Sequence, residues 1–172
     1  MKNRTTVSLL GLGLLLTSFM ITPRLASAVD VPDSKEVTKL LVQAKAQALQ
    51  LKQDAEILES FTHSDISRQS HACAADQVAA DIDALTHQVA KLDEAVKAGS
   101  PWQKDAVDHI KPVAYELVSN ADAVIRGINK GGCLTGGDYA DYVRANVTLS
   151  DRLLTTVKQY VDASRQREKL DR

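Results

Sequence analysis

The stretch VTKLLVQAKAQALQLKQDAEIL, residues 37–58, decides the fold. Its apolar residues Val37, Leu41, Ala44, Ala48, Leu51, Ala55 and Leu58 return by steps of four and three. That spacing puts them on one face of an α-helix, and the polar residues between them on the other. Asp33 offers an N-cap with Glu36 three residues on, in the manner of a capping box.

The same rhythm recurs three times towards the C-terminus. A second seam, Ala75, Val78, Ile82, Leu85, Val89, Leu92 and Val96, predicts a helix that starts between Thr62 and Ser67 and ends near Lys97. Gly99-Ser100-Pro101 then marks a boundary. Glycine can stop one helix, Ser100 can cap the next, and Pro101 suits its first position because the missing N–H has no partner there. A third seam follows with Ala106, Ile110, Val113, Leu117, Ala121, Val124 and Ile128. Pro112 inside it removes the bond to the carbonyl of Asp108 and predicts a kink. Gly127 to Gly137 holds five glycines and reads as a loop. The fourth helix starts near Asp138, and its seam of Tyr139, Val143, Asn146, Ser150, Leu153, Val157 and Tyr160 is the most polar of the four. Four heptad-like, coiled-coil-style seams on short turns predict an all-α protein, an up-down-up-down antiparallel four-helix bundle. No stretch alternates as a strand does.

The N-terminus carries a different signal. Lys2 and Arg4 precede an apolar run from Val7 to Ile21, and Ala26-Ser27-Ala28 closes it with a small-x-small site. Residues 1–28 are therefore expected to be a cleaved secretory signal peptide of bacterial type, leaving residues 29–172 as a single bundle domain. Localisation follows: exported, periplasmic or extracellular, with no membrane span in the mature chain. Loss of Lys2, Arg4 and Arg24 leaves 18 basic residues against 22 acidic ones, a net charge of −4. That balance, with no basic cluster, argues against nucleic acid as a partner.

Chemistry-bearing residues are few, and the predicted topology gathers them at one end. His63, His71, Cys73, Cys133, Tyr139 and Tyr142 fall near the first and third connections, and Asn146 lies on the adjoining part of the fourth seam. Cys73 and Cys133, two cysteines in an exported chain, are expected to form a disulfide. His71 continues the second seam and should face the interior, with Asn146, Ser150 or a tyrosine as partner. His63, His71, Tyr139, Tyr142 and Asn146 are the candidate ligand-binding residues.

No cofactor is predicted. A covalent c-type haem needs Cys-x-x-Cys-His, and a methionine–histidine axial pair needs a methionine outside the signal; both are missing, since Met1 and Met20 lie within it. Di-iron bundles need Glu-x-x-His pairs, and no glutamate precedes a histidine by three. His87 and His109 match in height, but His87 falls off the seam. A zinc set of His63, His71, Cys73 and Cys133 has suitable ligand types, although i and i+2 point apart on a helix. No nucleophile elbow or phosphate loop appears. The expected function is a non-enzymatic binding, interaction or structural protein of the cell envelope. Its partner would be another envelope protein or a second copy, met through faces that carry Leu40, Leu49 and Ile57. The alternative is a small-ligand or haem/metal-binding bundle with its site at the His71, Cys73, Cys133 and Tyr139 end.

Overall fold

The computed structural model describes residues 31–170, and the expected signal peptide lies outside them. Four helices follow one another: α1 Lys35–Thr62, α2 Arg68–Ala95, α3 Pro101–Asn129 and α4 Gly137–Leu170, with a short 3-10 turn at Val96–Ala98. There is no strand among the described residues. Helix α1 packs on α2 and α4, and α3 packs on the same two, so α1 and α3 sit at opposite corners.

The seams form the core. Leu41, Leu51 and Leu58 meet Ile82, Leu85, Leu92, Ile110, Leu117 and Leu153, all fully buried. Each such side chain contributes roughly 1.5–3 kcal/mol on leaving water. Most of the remaining interior is alanine and valine, which lets the helices approach closely. The seam of α4 ends differently from its expected course: Val161 is buried, whereas Tyr160 is half-buried and sends its hydroxyl out to Asp105 at 2.6 Å.

Local chemistry sets the helix ends. Ser34, not Asp33, caps α1, accepting from the N–H of Val37, while Asp33 accepts from the Trp102 indole at 2.6 Å. Ser67 caps α2. Helix α3 runs unbroken through Pro112, an exposed position where water can reach the unpaired carbonyl. The loop before α4 places Gly131 and Gly137 at φ of 75° and 62°, a region only glycine enters freely.

One residue ties the starts of α1 and α3 together. Gln103 is fully buried. Its Oε1 accepts from the N–H groups of Ser34 at 2.9 Å and Ser100 at 3.1 Å. Its Nε2 donates to the Ser34 carbonyl at 2.9 Å and the Thr38 hydroxyl at 3.3 Å. Every hydrogen-bonding position of this amide is used.

Candidate functional site

His71 lies in the first turn of α2, where the N-cap at Ser67 fixes the helix phase and turns residue 71 inward. The imidazole is fully buried. Its Nδ1 is 2.9 Å from the Tyr139 hydroxyl in the first turn of α4. Phe61 and Tyr139 both present edges to the ring, with centroids 5.8 and 5.6 Å away. Burial, and secondarily the Arg68 charge, lowers the pKa of His71. Burial raises that of Tyr139 to about 12. The pair is therefore neutral at pH 7, joined by one hydrogen bond between the Tyr139 hydroxyl and Nδ1. The other ring nitrogen, Nε2, is buried without a partner.

Asn146 is the second candidate that the fold places inside. It is fully buried, and neither its amide nitrogen nor its oxygen has a partner among the described residues. Its burial also takes the Asn-Val-Thr glycosylation sequon out of reach. Ser150, one turn on, turns its hydroxyl back to the Val147 carbonyl.

The remaining candidates separate from this pair. His63 is the exposed C-cap of α1. Tyr142 is exposed on the rim of a cleft of about 190 Å³ between the end of α3 and the start of α4. That cleft is lined by Arg126, Gly127, Lys130, Asp138 and Tyr139. Gly127 lets the Tyr139 ring approach closely there, since a Cβ would stand 3.0 Å from it. A wider groove of about 590 Å³ near Glu36 and His87 touches none of the candidates.

The expected disulfide is not present. Cys73 and Cys133 are free, exposed thiols. Cys73 stands two residues after buried His71 and so points out from the bundle. Arg68 meanwhile holds the Gly132 carbonyl at 2.7 Å and the Ile128 carbonyl at 2.7 Å, anchoring the glycine loop beside the end of α3. Cys133 instead sits 3.3 Å from the Thr135 hydroxyl. That contact, aided by backbone N–H groups of Thr135 and Gly136, holds its thiol below the usual range.

The four-residue zinc set is likewise not assembled. No group of three His, Cys, Asp or Glu residues among the described ones is placed to hold a metal. His87 and His109 are exposed, each with Nδ1 against the carbonyl four residues back, at 2.9 and 2.8 Å.

Two features escaped the sequence reading. Arg68 had a legible sign, a cation directly after a capping serine and level with a helix C-terminus, where carbonyls collect. The other is a carboxyl pair between α1 and α2. Asp54 is held by Gln50 at 2.8 Å and Asp81 by Gln77 at 3.2 Å. Burial first, then the hydrogen bond that the protonated Asp81 donates to Asp54, raises the pKa of Asp81 to about 6. No residue type announces that pairing, because only the register of the two helices creates it.

No family model matches the chain, and comparisons with curated proteins and with solved structures found no match.

Proposed function

We propose that the chain is an exported, non-enzymatic four-helix bundle that binds other components, or a second copy, through its outer helical surface. The observation that carries this reading is on α1. Val42, Leu49 and Ile57 are 42%, 47% and 50% exposed although the seam beside them is fully buried. Steps of seven and eight return them to one side of the helix. Leu40, by contrast, packs against the core and leaves this face. Three large apolar side chains outside a filled core suit contact with a partner more than they suit folding.

The supporting architecture is an up-down-up-down course. Glu59–Arg144 and Lys52–Asp151 pair α1 with α4 in opposite sequence order. Arg68 with Ile128 and Asp93 with Lys111 do the same for α2 and α3. Export rests on the charged, apolar and small-residue segments of residues 1–28, and a secreted form beginning at Val29 is its mark. No described helix is long and apolar enough to cross a membrane.

Sedimentation velocity at micromolar concentrations tests the surface. The purified protein should self-associate or bind an envelope component, and Leu49→Lys with Ile57→Lys should abolish that while keeping helix content. A monomer that the paired substitution leaves unchanged in every binding measurement contradicts the reading.

A second reading, a small-ligand bundle, is favoured by the cleft beside Tyr139. Arg126 and Lys130 have no ion-pair partner among the described residues, and they line it together with Asp138 and Tyr142.

A further inference from the structure

We propose that the outer face of α1 pairs with the same face of a second copy of this chain, the two helices antiparallel about a two-fold axis beside Leu49. This pairing rests on α1 being the docking face, as read above, and gives that face its partner.

The exposed stripe on α1 is nearly its own reverse. Val42, Ala46, Leu49, Gln53 and Ile57 follow one another by steps of four, three, four and four, and all five are exposed. Those steps keep them on one side of the helix over about 22 Å. Val42 and Ile57 lie equally far from the point between residues 49 and 50, and so do Ala46 and Gln53. An isologous pair turned end for end about that point sets Val42 against Ile57 of the second copy and Ala46 against its Gln53. Leu49 then lies beside its own counterpart. Each large apolar side chain gains an apolar neighbour, and small Ala46 leaves room for the longer glutamine.

A parallel pair in register would also match apolar with apolar, so charge decides the direction. Most charged side chains of α1 are turned to neighbouring helices. Lys45, Lys52 and Glu59 pair with Asp162, Asp151 and Arg144 of α4. Glu36 borders the groove beside α2, and Asp54 meets Asp81 of that helix. What remains on the outer face is Lys35 and Lys39 at the start of α1 and Glu56 near its end. Both lysines are without an ion-pair partner among the described residues, and Glu56 has only Lys52, at 3.7 Å. A parallel pair brings Lys39 to Lys39 and Glu56 to Glu56. The antiparallel pair brings Lys39 within about one helical turn of Glu56 of the second copy, twice over, a gap that a lysine side chain spans. The flanking charges therefore attract in the antiparallel pair and repel in the parallel one. Three large apolar side chains fall short of the roughly 800 Å² per partner of a standard interface, so the dimer should form at micromolar and not nanomolar concentration.

Sedimentation equilibrium of the purified protein across micromolar concentrations, with charge reversals on the outer face, tests the pairing. Lys39→Glu and Glu56→Lys should each weaken the dimer by about tenfold, since two exposed pairs turn from attraction to repulsion. The two reversals together should restore it. Both positions are exposed, and circular dichroism checks that helix content is kept. A cross-link gives a reading independent of affinity. Ala46→Cys and Gln53→Cys chains, each also carrying Cys73→Ser and Cys133→Ser, should join when mixed. Ala46→Cys alone should not, because its two copies stand about 10 Å apart along the axis. A dimer that ignores the single reversals, one that the double reversal leaves weak, or Ala46→Cys chains that join each other overturns the antiparallel pairing. A chain that stays monomeric overturns it as well. If Leu49→Lys with Ile57→Lys then abolishes binding to another envelope component, the docking face stands with a different partner.

Discussion

Two buried amides in this bundle stand in opposite conditions. Gln103, where the starts of α1 and α3 meet, spends all of its hydrogen-bonding capacity on Ser34, Thr38 and Ser100. Asn146, inside α4, spends none on protein. The first amide closes backbone groups that a helix start leaves open. The second sits mid-helix, where the backbone is already paired within α4. A buried polar side chain therefore tells little by its burial alone. Its partners decide whether it locks the fold.

The comparison breaks most readily at Gln103. Gln103→Leu leaves the Ser34 and Ser100 N–H groups unpaired, while the Ser34 carbonyl keeps the Thr38 N–H. Since each unmet buried group costs roughly 1–3 kcal/mol, denaturant unfolding should show a loss of about 3 kcal/mol. A loss below about 1 kcal/mol would mean that water replaces the clamp freely.

Next in size is Tyr139→Phe. It removes the hydroxyl bonded to His71 Nδ1 and leaves both ring nitrogens without protein partners. The expected cost is about 1–2 kcal/mol, with histidine resonances of His71 shifting and the other three unmoved. An unchanged His71 spectrum contradicts the placement of that hydrogen bond.

The smallest effects are pH-dependent and have opposite signs. His71 titrates lower when folded, so its contribution is full above the unfolded value near 6.5 and is lost as pH falls below it. Asp81 titrates higher when folded, at about 6 against 3.8, so its neighbourhood destabilises the fold above pH 6 and the penalty fades on acidification towards 3.8. Asp81→Asn should therefore raise stability at pH 7 to 8, with a gain that shrinks as pH drops through 6. A gain that is constant across that window excludes the Asp54–Asp81 contact as its source.

Much of the core was legible in the sequence, since every position of the first three seams is buried. Periodicity reports the inward face of a helix directly, so the seams needed no tertiary knowledge. The inward turn of His71 and Asn146 followed from the same phase. What periodicity does not carry is reach. It set Cys73 and Cys133 at one end, but not that Cys73 faces solvent while the Cys133 thiol turns to Thr135. It left Tyr160 on the seam, although a longer side chain can tilt out to Asp105 and let Val161 fill the interior. The cap at Ser34 in place of Asp33 has a similar origin, because Trp102 on a distant segment claims the aspartate.

The contrast between the two amides is tested most directly by equilibrium unfolding of Asn146→Leu beside Gln103→Leu at one pH. A leucine at 146 removes a polar group with no protein partner, so its stability should stay within about 1 kcal/mol of the parent. The Gln103 variant should lose several times more. An Asn146→Leu protein that loses as much as Gln103→Leu would contradict the account, because the amide would then be bonded to the protein itself.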